Sequence, residues 1–285
     1  MKQNSLTVGR VFPFWGAIRV VLLALLCIPF LYPFWWMVIN SLNSAAEVFG
    51  PPRLLPVSWQ WQNYIDVFTV QPFARHFVNT LLVAGVGTFG NVFIAALSGY
   101  AFARLRFPGR GLLFVLLLTA LMMPIEVTII PTFFMMKDLA LTDSLVPLVL
   151  IPVFTAQGAF SAFMMRQYFI TLPKELEEAS YLEGLNPMGT FTRIILPLTG
   201  PVVSSAAILA FLSIWNSFLE PLVFVNSLDL FTIPLSLANF TDTYGLPQWH
   251  LQLAATSLSV VPIMIVYVLF QSRISNAMVS SGIKG

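Results

Sequence analysis

The residues that could carry enzymatic or metal chemistry are few and far apart in the sequence. The two histidines, His76 and His250, are separated by more than half the chain, and Cys27 is the single cysteine. Zinc sites need several Cys, His or carboxylate ligands at short spacing, as in His-Glu-x-x-His, and the sequence contains no such cluster. It therefore predicts no catalytic site, no metal and no cofactor on this chain.

Three other residues stand in apolar surroundings where a solute could contact them. Glu126 lies in a run that, if it crosses a membrane, makes an ionised carboxylate cost about 3 kcal/mol or more. Trp215 offers a flat apolar face, and Asn216 offers both a donor and an acceptor, which suits the wall of a cavity. Two alternatives stay open. Glu126 could lie near the outer end of its helix, solvated or paired with a neighbouring subunit, and Trp215 and Asn216 could serve helix packing.

The elements that must position these residues are transmembrane helices. Charged residues make up 9% of the chain and hydrophobic residues 58%, whereas soluble domains are roughly 25% charged. A run of about 20 apolar residues spans the hydrocarbon core of a bilayer as a helix. We therefore predict an all-α membrane protein with six transmembrane helices at about residues 20–40, 79–102, 111–135, 145–165, 200–222 and 253–271.

The basic residues support this topology, because six crossings put both termini on one side. Eleven of the 14 Lys and Arg residues then lie on the side of the termini. The three on the opposite side are Arg53, Arg75 and Lys137. By the positive-inside rule, segments 1–19 and 272–285 are cytoplasmic and segment 41–78 is an external loop on the bilayer surface.

Two further classes of interpretation are excluded. The first apolar run is uncharged from Val20 to Ile39, which is longer than the roughly 7 to 15 residues of a signal peptide's apolar region, so we expect a retained helix. The net charge of +2 is small and scattered, whereas nucleic-acid binding needs clustered Lys and Arg. No nucleic-acid partner is expected.

The loop at 166–199, between the fourth and fifth spans, carries the strongest local pattern. Pro173 and three glutamates within the next five residues suit the start of a helix, where carboxylates face the positive end of the dipole. Gly184 ends this helix, and Asn186 can cap a second one, so the loop reads as helix, turn, helix. Helical spacing predicts one face, with small residues at its centre, that another protein could approach closely. That face comprises Leu176, Ala179, Ser180 and Glu183.

This pattern resembles a known family. The loop is similar to the "EAA" loop of permeases in binding-protein-dependent ABC importers, at Glu178, Ala179, Ser180, Gly184, Ile194, Leu196 and Pro197. Four further stretches, in the same order along the chain, resemble the maltose-type carbohydrate permeases: 100–109, 124–131, 215–222 and 282–285. Ser180 replaces the usual second alanine but keeps that position small, and Leu185 is bulkier than the small residue usual there.

The resemblance implies a type I ABC importer permease fold, with a core permease domain at 79–271, in a bacterial or archaeal cytoplasmic membrane. It gives Glu178 the role of pairing with a basic group in a cleft of an ATPase subunit, and Gly184 that of permitting the turn. It implies two ATPase subunits, a second, non-identical permease and an external solute-binding protein. The chain has no phosphate-binding loop of the form G-x-x-x-x-G-K-[ST], so ATP and Mg²⁺ are expected on the ATPase subunits.

The function implied is import of a sugar or sugar-like solute, such as an oligosaccharide, a disaccharide or a polyol phosphate, with Trp215, Asn216 and Glu126 as possible residues of the translocation path. Three alternatives remain. The permease could carry a non-sugar solute. The chain could be an ion-coupled secondary transporter, although Glu126 alone makes a poor ion relay. It could also be a membrane-embedded enzyme, although no catalytic pair is evident.

Overall fold

The structure is a computed structural model that describes residues 13–242 and 244–282. Within these residues the chain is helical apart from loops and one isolated β-bridge between Thr241 and Pro247. The prediction of an all-α fold is confirmed. Residues 1–12 of the predicted N-terminal segment and residues 283–285 of the predicted tail lie outside the described residues.

The helices in chain order are α1 (Pro13–Ser41), α2 (Gln62–Val70), α3 (Phe73–Arg104), α4 (Arg110–Met122), α5 (Ile125–Asp138), α6 (Val146–Phe154), α7 (Ala156–Thr171), α8 (Glu175–Leu182), α9 (Pro187–Thr190), α10 (Leu196–Leu198), α11 (Gly200–Trp215), α12 (Leu219–Phe224), α13 (Ile233–Leu237) and α14 (Trp249–Gly282). A π-helical turn at Phe191–Ile195 joins α9 to α10, and a 3₁₀ turn at Leu228–Leu230 precedes α13.

The apolar helices fall into two groups. Ile18–Ser41 of α1, the whole of α3 and Trp249–Leu269 of α14 are each long and apolar enough to cross a membrane alone. Three further pairs qualify only together: α4 with α5 bent by 106°, α6 with α7 bent by 43°, and Pro187–Leu198 with α11 bent by 81°. If each bent pair is one crossing, the described residues contain up to six spans, the number that the sequence predicts.

Backbone chemistry explains the α4–α5 break, and a glycine permits the α6–α7 break. Pro124 has no N–H, and a residue before proline avoids the helical region, so Met123 adopts φ −84° and ψ 115° and α4 ends there. At the α6–α7 break, a Cβ on Gly158 would lie 1.9 Å from the carbonyl oxygen of Val153. Asn91 of α3 donates its Nδ2 hydrogen bond to the carbonyl oxygen of Pro152 at 2.7 Å, which satisfies a backbone group beside the break.

Helix α3 is the centre of the bundle. It packs along α7, α11 and α6, and two apolar clusters lie along it. One cluster, at the level of the α3 start, includes Phe73, Trp215 and Phe224. The other, at the level of the α3 end, includes Tyr100, Met165, Phe169 and Phe191. Helix α3 therefore links the apolar cluster that contains Trp215 to the cluster against which the loop at 166–199 packs.

Candidate functional site

The loop at 166–199 forms the predicted helix, turn and helix. Helix α8 carries Glu175, Glu177 and Glu178 in its first turn. After α8, Gly184 adopts φ +83°, a left-handed conformation that is strained for any residue with a Cβ. The side chain of Asn186 accepts a hydrogen bond from Gly189 N at 2.7 Å and caps α9. The glycine and the cap fix where each short helix ends and begins.

The predicted docking face is split by the structure. Glu178 and Ala179 are exposed, but Ser180 is buried, and its Oγ lies 2.7 Å from Thr190 Oγ1 in α9. The prediction that Ser180 belongs to a docking face is wrong, because this side of α8 packs against α9. The sequence interpretation missed Leu182, whose side chain is 91% exposed and which lies on the open side of α8.

The later residues of the motif connect the loop to the bundle. Ile194 and Leu196 are half-buried and pack against the cluster at the α3 end, whereas Pro197 is exposed. Thr199 follows, and the chain turns there by 81° into α11. The short helices are therefore joined to α11 directly through the backbone.

A buried ion pair holds the start of α8, and the sequence interpretation missed it. Arg104 Nε lies 3.4 Å from Glu177 Oε1, and the two side chains are only 6% and 11% exposed. Burial raises the pKa of the Glu177 carboxyl above its ordinary value, and the charges of Arg104 and Lys174 oppose that rise. The only signal in the sequence is that Arg104 lies in the stretch 100–109, which resembles other permeases.

A cavity of about 510 Å³ lies between the α4–α5 break, the α6–α7 break and the loop that joins α11 to α12. Its polar lining is composed of hydroxyl, amide and carboxyl groups. These belong to Thr128, Thr132, Thr155, Gln157, Ser213, Ser217 and Glu220. Its apolar lining includes Met123, Ile125 and Ile214. Ser217 Oγ donates a hydrogen bond to Glu220 Oε2, which orients this carboxylate.

The three residues proposed for a translocation path lie outside this lining. Trp215 is 2% exposed and packs in the core, its ring stacked on Phe211 at 5.4 Å and edge-on to Phe77 at 6.0 Å. The structure therefore supports the packing alternative for Trp215. Asn216 is exposed and donates to Leu212 O of its own helix at 2.8 Å. Glu126 is exposed in the first turn of α5.

His76, one of the two histidines, has a structural role. Its ring is fully buried, with Nδ1 2.8 Å from Ser236 Oγ and Nε2 2.8 Å from the carbonyl oxygen of Leu228. These contacts fasten the segment before and within α13 to the start of α3.

Comparison with known proteins identifies the family. The model of the family described as "Binding-protein-dependent transport system inner membrane component" matches residues 91–280. The chain belongs to this family. The permease is therefore embedded in a membrane, and its family works with a solute-binding protein and an ATPase. The prediction of an ABC importer permease is confirmed.

Individual relatives are similar to this chain over most of their length. The permease is 34% identical to an arabinooligosaccharides transport system permease protein of Halalkalibacterium halodurans, over 85% of this chain and 84% of that one. It is 30% identical to a diacetylchitobiose uptake system permease protein of Streptomyces coelicolor, over 94% and 88%. A solved bacterial ABC transporter involved in the import of the acidic polysaccharide alginate contains a chain of the same fold, with a TM-score of 0.78 at 22% identity, over 94% of this chain and 99% of that one.

Proposed function

We propose that this permease imports a neutral carbohydrate, of oligosaccharide or disaccharide size, driven by ATP hydrolysis on separate subunits. The lining of the cavity carries this proposal. Its hydroxyl and amide groups can exchange hydrogen bonds with sugar hydroxyls, and its Met and Ile side chains can pack against the apolar faces of a sugar ring. Among the described residues that line it, none is Lys or Arg, and a solute with a phosphate group would call for such a cation.

The names of two relatives, the arabinooligosaccharide and diacetylchitobiose permeases, agree with a neutral sugar, whereas the alginate transporter of the same fold handles an acidic polysaccharide. Arabinooligosaccharides and diacetylchitobiose carry hydroxyl or amide groups and no anionic group, so their recognition would need the kind of lining seen here. The carboxylate of Glu220 fits this class too, because it can accept hydrogen bonds from sugar hydroxyls and would repel an anion.

The exposed side of α8 is the proposed ATPase contact. Glu178 offers a carboxylate to a basic group, Ala179 allows close approach, and the exposed Leu182 offers apolar surface. We assign ATP and Mg²⁺ to two ATPase subunits and no cofactor to this chain. A second, non-identical permease and an external binding protein complete the proposed complex. In the proposed orientation this loop and both termini are cytoplasmic, as the Lys and Arg distribution favours.

Helix α11 provides a physical route between the two sites. It begins at the 81° turn after the loop and ends at Trp215, and Ser213 near its end lines the cavity. Its 16 residues span about 24 Å at 1.5 Å per residue. Closure of the ATPase subunits would shift the loop at 174–196, tilt α11 and turn the cavity from one side of the membrane to the other.

The coupling half of the proposal is tested on the reconstituted complex in lipid. Glu178→Ala and Gly184→Asp are expected to weaken ATPase binding and uptake. Glu175→Ala is the matched control, since it removes an exposed carboxylate from the same helical turn. If Glu178→Ala and Gly184→Asp both leave ATPase binding and uptake normal, the proposed contact is wrong.

The solute half is tested by competition. Neutral disaccharides and oligosaccharides, their phosphorylated forms and amino acids are offered in excess during uptake by the complete complex. We expect only neutral sugars to compete, and Gln157→Leu to raise the KM for the competing sugar. Competition by phosphorylated sugars or amino acids instead would show that the cavity lining has been misinterpreted. Uptake without ATPase subunits would favour a secondary transporter.

A further inference from the structure

The C-terminal end of α3 reaches across to the C-terminal end of α7 through one side chain. Arg104 donates from Nε and Nη2 to the carbonyl oxygen of Phe169, at 3.1 and 2.6 Å, and from Nη2 to that of Leu172. The last carbonyl groups of a helix have no partner within the helix, and they carry the negative end of its dipole. A guanidinium is therefore well suited to this position, because it brings a positive charge and several donors in fixed geometry.

The same guanidinium faces the start of α8. Glu177 lies in the first turn of α8, with Oε1 3.4 Å from Arg104 Nε, and this oxygen is buried without a hydrogen bond among the described residues. Glu177 is fixed on the backbone side as well, since its carbonyl oxygen accepts from Ser180 Oγ at 2.7 Å. Ser180 in turn contacts Thr190 of α9. One continuous set of polar contacts thus joins α3, α7, α8 and α9.

Buried apolar side chains contribute little to holding α8 on the bundle. The only fully buried residues of α8 are Glu177 and Ser180, both polar. The covalent connection from α7 runs through Pro173 and Lys174, which are both exposed. A helix with no fully buried apolar side chain has little hydrophobic packing to hold it, so its position depends on its polar contacts. The Arg104–Glu177 pair is the most buried of these contacts that reaches α3.

We propose that Arg104 is a positioning residue for energy coupling: through the carbonyl groups of α7 and the carboxylate of Glu177, it makes α8 move together with α3 and α7. This inference rests on the proposed function of α8 as the ATPase contact. With the pair intact, force applied to α8 displaces the bundle. Without it, α8 shifts on its exposed connection while the bundle stays behind, and ATP is hydrolysed without transport.

The test measures solute moved per ATP hydrolysed by the complete complex in lipid vesicles. Arg104→Gln removes the charge and keeps one NH₂ group as a donor. We expect it to leave ATPase binding intact and to lower the transport ratio at least tenfold. Arg106→Gln is the matched control, because Arg106 is exposed two residues further on, and it should keep the wild-type ratio. An unchanged ratio in Arg104→Gln would overturn the proposal.

A second measurement separates positioning from a general loss of stability. Hydrogen exchange of the α8 amides should become faster in Arg104→Gln and stay at wild-type rates in Arg106→Gln, while exchange within α3 is unchanged. Arg104→Lys keeps the charge and should restore part of the ratio. If Arg104→Gln does not assemble, Glu177→Gln tests the same pair and should lower the ratio less; an unchanged ratio in Glu177→Gln would then count against the pair.

The same experiments distinguish failure of this proposal from failure of the proposed function. If Glu178→Ala leaves ATPase binding and uptake unchanged, α8 is not the ATPase contact and the proposed function itself is wrong. If Glu178→Ala weakens binding but Arg104→Gln keeps both the wild-type ratio and the wild-type exchange of α8, only the role of Arg104 is refuted.

Discussion

The α6–α7 break makes a sharp prediction about a single methyl group. Gly158→Ala would place a Cβ 1.9 Å from the carbonyl oxygen of Val153 and 2.7 Å from its carbonyl carbon. Because both are backbone atoms, no side-chain rotation can relieve the contact. The break must open until the distance to the oxygen rises from 1.9 Å to at least 3.0 Å. Overpacking usually lowers the free energy of unfolding by about 1–3 kcal/mol. Because backbone atoms cannot rotate away, we expect Gly158→Ala to lower it by about 3 kcal/mol.

A matched glycine exists for comparison. Gly85 in α3 is exposed, and a Cβ there meets nothing within 4 Å. Gly85→Ala should therefore be neutral or stabilise by about 0.5–1 kcal/mol, as expected for alanine in a helix.

Thermal unfolding in lipid nanodiscs and uptake by the complete complex are the two assays. Since Thr155 and Gln157 line the cavity beside this break, Gly158→Ala should lower Tm and raise the KM for the solute. If Gly158→Ala and Gly85→Ala have the same Tm and KM, the contact with Val153 does not exist and the described break is wrong.

Three further predictions concern single side chains. Trp215→Ala should destabilise the permease by about 3–5 kcal/mol, because a large buried ring leaves a cavity; thermal unfolding checks this, and a change in KM without one in Tm would contradict it. The Asp143 carboxylate accepts hydrogen bonds from Asn226 N, Ser227 N and Ser227 Oγ, which lower its pKa below 3.8. Its stabilisation is present above pH 3.8 and is lost as the pH falls through the lowered value, so Asp143→Asn should lower Tm at pH 7 and have little effect in strong acid. For Glu177 the dependence of stability on pH is opposite. Burial raises its pKa above 4.5, so its contribution to Tm should fall as the pH rises through the raised pKa. Glu177→Gln should abolish this dependence of Tm on pH.

The sequence predicted the features that depend on local chemistry. Apolar runs predicted up to six spans, and Gly184 and Asn186 predicted the turn and the second helix of the loop, because left-handed backbone and helix capping restrict residue type. Features that depend on distant packing were not predictable. The inward direction of Ser180 depends on where α9 lies, and the burial of Trp215 depends on which neighbours surround the end of α11. Arg104 and Glu177 come from separate helices, and no local pattern links them.

The position of the helix breaks beside the cavity has a physical reason. Irregular backbone at membrane depth is tolerated only where it is buried in protein or lines a water-filled space, because lipid cannot satisfy free N–H and C=O groups. Here the breaks before α5 and before α7, and the loop after α11, all border one cavity. A sequence that served only to fill lipid would gain nothing from these interruptions. We infer that the interruptions are retained because they present polar groups to a solute and let the helix segments on either side pivot during transport.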